Sequence, residues 1–308
     1  MKLTQLLVLA AMLILASLAK ADKPTSLDGW IDAMQNKPFD PDTLYLTPST
    51  AAGPSEAKYL AEKAAADNAD AEELAKKLSN PVASLISVPF QSNFDFNMNN
   101  GEGWRYTLNV QPVIPFALND QWNLITRTII PGIYQDDVVH DGGSTQWGMG
   151  DVTQSFFLSP RQSDPIWGVG PVFVWPTGTN DSLGSQKWSA GLTGLVLKQD
   201  GPWTYGVLAN HVWSYAGEDD RPYVSSTFIQ PFLAYNTKSG FGVTLQAESS
   251  YDWHARQWTI PVGLLVSQVM KFGNQPISLN FGPRVYVEGP DGAPEWGLRL
   301  TITFLFPK

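Results

Sequence analysis

The sequence predicts an all-β fold, a 12-stranded antiparallel transmembrane β-barrel with a short N-terminal helical periplasmic segment. Three observations predict it: a hydrophobic period of two from Ala83 to the C-terminus, least regular in the fourth and fifth strands, tryptophans at strand ends, and connections that alternate between short and long. The stretch Trp296 to Phe306 shows the first most clearly. Its even positions are large and apolar, whereas Gly297, Arg299, Thr301 and Thr303 are small or polar and only Leu305 is an exception. A period of two gives a strand with one greasy and one wet face. A soluble sandwich or a barrel with lipid outside and water inside could both present such a strand.

Composition narrows the choice. The chain has 308 residues, 16% charged, with 12 Trp and no Cys. Ordinary globular domains are about a quarter charged. Low charge and many aromatics suit an outer-membrane barrel, whose hydrophobic signal per strand is weak. A net charge of −9 offers no basic patch for phosphates, so nucleic acid is not expected as a partner. Without cysteine there are neither disulfides nor thiolate metal sites.

The N-terminus reads as a targeting segment. Met1 and Lys2 precede an apolar run from Leu6 to Leu18, and Ala19-Lys20-Ala21 supplies a small-x-small cleavage pattern. Residues 1–21 are therefore expected to be a signal peptide, since the run from Leu6 to Leu18 is too short for a membrane anchor, which needs about 20 apolar residues. Residues 22–54, rich in proline, are an irregular periplasmic segment. Residues 55–80 read as helical, from a cap at Ser55 to the Asn80-Pro81 stop, or as two helices if Asp70 and Glu73 form a second cap. Plugging the barrel, packing at its periplasmic mouth and tethering are alternatives that the sequence leaves open.

The barrel is expected over residues 83–308. Its strands run from about Ala83 to Phe96, Trp104 to Phe116, Trp122 to Ile133, Gly148 to Leu158, Ile166 to Pro176, and Lys187 to Lys198. The remaining six are Trp203 to Tyr215, Tyr223 to Asn236, Phe241 to Tyr251, Trp258 to Val269, Ile277 to Val287, and Trp296 to Phe306. Trp104, Trp122, Trp188, Trp203, Trp213, Trp258 and Trp296 stand at strand ends, where an indole would sit in the bilayer interface as an aromatic girdle. Short connections such as 117–120, 199–202, 237–240 and 271–275 alternate with longer ones, often acidic, such as 135–146, 177–186 and 216–222. Short periplasmic turns and longer external loops are the outer-membrane rule.

Alternation assigns inward residues: Gln91, Asn93, Asp95, Arg105, Asn109, Gln111, Arg127, Thr193, Asn210, Gln230, Gln246, Glu248, Asn280, Arg284 and Arg299. Two readings compete for them, a polar passage that selects solutes and a lumen filled by its own hydrogen bonds and ion pairs. The arginines at 105, 127, 284 and 299 lie on strands that meet across the closing seam, so a basic strip facing Asp95 and Glu248 is one expectation. No catalytic residue is assigned. His140 and His254 fall in loops, His211 on an outward position, and neither Ser144 nor Ser214 has a spacing that implies a nucleophile–base pair. There is no Gly-x-Ser-x-Gly elbow, no phosphate-binding glycine loop and no metal-ligand cluster, so no cofactor or metal is expected. A lipid hydrolase remains the third reading. Outer-membrane lipids, lipopolysaccharide and the barrel-insertion machinery are the expected partners, together with an unidentified small solute. Pro307 and Lys308 after Phe306 depart from the usual form of the insertion signal.

One stretch carries a resemblance. Asn80-Pro81-Val82-Ala83-Ser84-Leu85-Ile86-Ser87-Val88-Pro89-Phe90-Gln91 is similar to the entry of a proteobacterial outer-membrane β-barrel family, labelled variously as transporter, neuromedin-U-like protein or phenol meta-pathway barrel. Matching segments follow in the same order: Asn123 to Arg127, Gly148 to Asp151, Lys187 to Gly191, Gly201 to Trp203, Gln230 to Phe232, and Phe304 to Lys308. The resemblance implies an exported barrel that passes small molecules, hydrophobic or aromatic ones among them. It implies no defined substrate site.

Overall fold

A computed structural model describes residues 71–138 and 145–307. The expected signal peptide, the irregular segment, most of the helical segment, His140 and Ser144 lie outside the described residues. What is described is nearly all β: a closed 12-stranded antiparallel barrel with one short helix on its N-terminal side.

The helix, α1, covers 71–78 and leads through a turn to the first strand. Fifteen hydrogen-bonded segments make up the twelve strands. In order they are β1 (Ile86–Met98), β2 (Gly103–Val110), β3 (Val113–Ala117), β4 (Trp122–Asp136), β5 (Gln146–Met149), β6 (Val152–Pro160), β7 (Ile166–Trp175) and β8 (Lys187–Asp200). Then come β9 (Trp203–Gly217), β10 (Ser225–Asn236), β11 (Phe241–Ala247), β12 (Ser249–Asp252), β13 (Gln257–Phe272), β14 (Gln275–Glu288) and β15 (Trp296–Phe306). Each strand pairs antiparallel with its neighbours, and β15 pairs with β1 from Ile86↔Phe306 to Phe96↔Trp296. Closure leaves no edge of unpaired N–H and C=O groups, which hydrocarbon could not satisfy.

Three strands are interrupted, each for a local reason. Between β2 and β3 lies Pro112, which has no N–H to donate. Glu248 separates β11 from β12 where Pro261 and Pro231 face the strand from either side, and the Glu248 N–H still reaches the Pro261 carbonyl at 3.1 Å. Between β5 and β6 there is a one-residue bulge. Gly132 pairs with Met149 but Ile129 pairs with Thr153, so the strand expected from Gly148 to Leu158 carries an extra residue near Asp151.

Alternation holds through the first two breaks and shifts by one residue at the third, from even positions inward at Gly148 to odd ones at Ser155 and Phe157. Phe90, Leu192, Leu264, Phe304 and many other large apolar side chains are exposed on the outer face, while Asn93, Asp95, Thr193, Arg284 and Arg299 are buried inside. Trp188, Trp203, Trp213 and Trp258 are exposed and Trp104, Trp122 and Trp296 are half-buried. They form two belts. At the long-loop end Trp104 stacks near Tyr134 (5.2 Å), Trp296 near Phe96 (4.6 Å), and Trp188 near Trp175 (5.5 Å). At the short-turn end Trp122 meets Trp167 (5.9 Å) and Trp203 meets Tyr235 (4.9 Å).

The interior is not uniformly polar, which corrects the sequence expectation of a wet inner face. Ile125, Phe157, Leu195, Leu197 and Leu208 all point inward and are buried together with Val82. Leu74 and Ala75 of α1 are buried with Leu85, Val269 and Leu305 in a second cluster. Both clusters exist because the chain from 71 to 85 runs inside the short-turn end and supplies an apolar partner. Burying each such side chain stabilises by about 1.5–3 kcal/mol. Leu305, the exception in the last strand's alternation, is thereby explained.

Candidate functional site: a cavity between a charged network and an internal helix

The site is built from the inner faces of strands on both sides of the seam. Arg299 (β15) is the centre. Its Nη1 donates to Glu248 Oε1 at 2.9 Å and its Nη2 to Glu248 Oε2 at 2.5 Å, while its Nε donates to Asn93 Oδ1 at 2.8 Å. This fork-on-fork geometry is the strong form of the ion pair. Glu248 comes from the proline-flanked break between β11 and β12. Its Oε1 also accepts from Gln246 Nε2 at 3.4 Å, and Gln246 Oε1 accepts from Gln230 Nε2 at 3.2 Å. A continuous polar chain therefore crosses the interior from β10 to β1.

Arg284 (β14) forms the second pair. It donates to Asp95 of β1, and its Nη1 lies 3.9 Å from Glu248 Oε2. Tyr286 donates its hydroxyl to Asp95 Oδ1 at 3.0 Å, and the Arg284 guanidinium stands 5.7 Å from the Tyr286 ring centre. The other two arginines lean on amides. Arg105 Nε donates to Gln135 Oε1 and Arg127 Nη2 to Gln111 Oε1, each at 2.8 Å. The four arginines thus form a network rather than one basic strip.

Below the network, toward the short-turn end, is a cavity of 270 Å³. Its floor is the end of α1 and the turn after it, from Ala75 to Pro81. Of the residues that the sequence assigns inward, Gln91, Gln111, Arg127, Gln230, Gln246, Glu248, Asn280 and Arg299 line it. Asn93 stands level with Arg299 in register, Asp95, Arg105 and Arg284 lie beyond the Arg299–Glu248 pair toward the long loops, and Asn109 stands opposite Gln91 on the same face. Leu208, Phe232, Leu265 and Val113 add apolar groups to the lining.

The floor is fixed by amides from three strands. Gln199 Nε2 donates to the Lys76 carbonyl at 2.9 Å, Asn236 Nδ2 to Ser79 Oγ at 3.0 Å, and Asn123 Nδ2 to Ser84 Oγ at 2.9 Å. At Gly240, where φ is +76°, a side chain would meet Ala71 at 2.9 Å, so only glycine lets the helix sit there.

At the other end, the loop 176–186 lies over the inner face. A Cβ at Gly148, whose register partner Ile133 points inward, would collide with Thr179 and touch Leu183. Asp151 at the bulge holds this loop: its Oδ1 accepts from the Gly178 N–H at 3.0 Å, and its Oδ2 from the Ser185 N–H and hydroxyl at 2.6 Å each. Arg221, from the next long loop, donates to the Asp181 and Gly184 carbonyls at 2.7 and 2.8 Å.

Sequence reasoning missed Asp151, Gln135, Tyr286 and the apolar wall. Gln135 and Tyr286 were legible by parity with Arg127 and Arg284. The apolar wall left a weaker signal in unbroken runs such as Phe156-Phe157-Leu158 and Leu195-Val196-Leu197, which mark strands covered on both faces. His211 sits on the outer face. Its Nδ1 lies 2.6 Å from Thr227 Oγ1, to which Trp253 Nε1 also donates at 2.8 Å. The ring thus engages a threonine of the aromatic belt rather than serine and carboxylate.

No family model matches the chain, and no curated protein matches it. Among solved structures, it is similar to the COG4313 outer membrane channel from Pseudomonas putida F1, with 16% identity over 72% of this chain and 94% of that one, at a TM-score of 0.54. The NanC porin structure is also similar, at 11% identity over 70% of this chain and 98% of that one, with a TM-score of 0.46. The first of these shows the fold class, that of an outer-membrane β-barrel.

Proposed function

We propose that this barrel is an outer-membrane channel through which small molecules, hydrophobic or aromatic ones among them, pass down their own gradient. One observation carries the reading: a cavity lined by both guanidinium and amide groups and by leucine and phenylalanine, set between a network and an internal helix. Such a lining holds an amphipathic solute without binding it so tightly that it cannot leave. The similar protein from Pseudomonas putida F1 is itself described as a channel, which supports the reading. The labels of transporter and phenol meta-pathway barrel fit the same chemistry. The chain would be exported with a cleaved signal peptide, inserted by the barrel machinery, and surrounded by lipid and lipopolysaccharide. It is read as a conduit, not an enzyme.

In this reading α1 is a plug in the periplasmic mouth, held by Gln199, Asn236 and Asn123 and by the Leu305 cluster. Planar-bilayer recording and liposome swelling test it. The full chain should give small conductance steps, and deletion of 71–80 should enlarge them. Absence of conductance and swelling in both would establish the filled, structural barrel instead.

A further inference from the structure

The interior network is unevenly charged. Arg105, Arg127, Arg284 and Arg299 stand with two carboxylates, Asp95 and Glu248, which leaves two formal positive charges. Arg284 and Arg299 take both carboxylates. Arg105 and Arg127 have only amide oxygens, those of Gln135 and Gln111, and neither pairs with a carboxylate among the described residues. A buried charge with no counter-charge in contact is costly, and the cost falls when an anion arrives beside it.

Of these two arginines without a salt bridge, Arg127 lines the cavity. A guanidinium has five N–H donors in a planar fork that matches a carboxylate. For Arg127, Gln111 is the sole protein acceptor among the described residues. Gln91, Gln230 and Asn280 add neutral amides to the lining, and Leu208, the register partner of Gln230, forms an apolar patch with Phe232. The volume of 270 Å³ is slightly below the 300–1,000 Å³ or so of pockets for drug-sized ligands, so the occupant is about one ring in size.

We infer that this cavity binds a small amphipathic organic anion, with Arg127 holding its carboxylate and the Leu208–Phe232 patch covering its apolar body. The inference deepens the channel reading and rests on it for the route of entry, though not for binding itself.

Isothermal titration of the full chain in detergent micelles tests the site, with benzoate and benzyl alcohol as probes of the same size and different charge. The wild type should bind benzoate at least about tenfold more tightly than benzyl alcohol, as a charge-assisted contact of about 1.4 kcal/mol requires. Arg127→Gln should remove that preference and leave benzyl alcohol unaffected, while Arg127→Lys should retain part of it. Equal affinity for the two probes in the wild type overturns the inference, whatever the variants do. So does a preference that survives Arg127→Gln. Bilayer recording separates the two readings: benzoate binding without conductance refutes the channel and keeps the site, whereas conductance without benzoate preference refutes the site and keeps the channel.

Discussion

Arg299 and Glu248 hold each other through two parallel hydrogen bonds of 2.9 and 2.5 Å, although they come from strands separated by β13 and β14. The pair is therefore a strut across the curvature of the barrel and not a contact along one hairpin. Asn93 extends it to the far side of the seam.

Glu248→Gln should destabilise the barrel by about 3 kcal/mol, because it leaves Arg299 and Arg284 buried against a neutral amide. Urea unfolding in micelles, followed by the gel-mobility shift of the folded barrel, measures this. The double variant Glu248→Gln with Arg299→Gln should lose less than the sum of the singles. Strict additivity would show that the strut contributes no coupling.

Asp151→Ala should release the loop 176–186. The carboxylate accepts three hydrogen bonds from Gly178 and Ser185, and bonds to a charged acceptor contribute about 1.5–3 kcal/mol each. Limited proteolysis on intact cells should cut this loop faster in the variant, with the barrel still folded. Unchanged cleavage would mean that Arg221 alone keeps the loop in place.

Leu305→Ala should loosen α1 without undoing β15. Leu305 is 1% exposed and packs with Leu74, Ala75, Leu85 and Val269. Leucine-to-alanine changes in such clusters cost about 2–5 kcal/mol. Amide exchange in 71–79 should rise while that of β14 and β15 stays slow. Equal acceleration in the helix and the strands would show that the helix is not held by this cluster.

Gly191→Ala should weaken the β8–β9 ladder. A Cβ at Gly191 would lie 1.7 Å from the His211 carbonyl oxygen, so the two backbones must part. Overpacking of this kind costs about 1–3 kcal/mol. The measurement is the midpoint of thermal unfolding by far-ultraviolet circular dichroism, with Gly194→Ala, which meets nothing closer than 3.7 Å, as the unaffected control.

The strand order and the inner or outer face of most residues were readable because lipid and water impose opposite demands on alternate positions. Twelve strands read from period-two runs are twelve strands in the barrel. What was not readable depends on partners distant in sequence. Asp151 looks like an ordinary loop acid until the residues at 178 and 185 fold back onto it. Ile125 carries no mark that distinguishes a lumen wall from a lipid face, since Val82, which packs in the same cluster, lies elsewhere in the chain. The arginines were found as inward residues, but which of them would be neutralised depended on the proline-flanked position of Glu248.

The seam between β1 and β15 has a consequence for escape routes. Its eleven residue pairs run without a slip from Ile86↔Phe306 to Phe96↔Trp296, and the Phe90–Phe304 and Phe96–Trp296 ring pairs cover it from outside. A molecule resting beside Arg299 therefore meets an unbroken backbone ladder there, with no slot through which to slide sideways among the lipid tails. At this wall the only exits are the two ends of the cylinder.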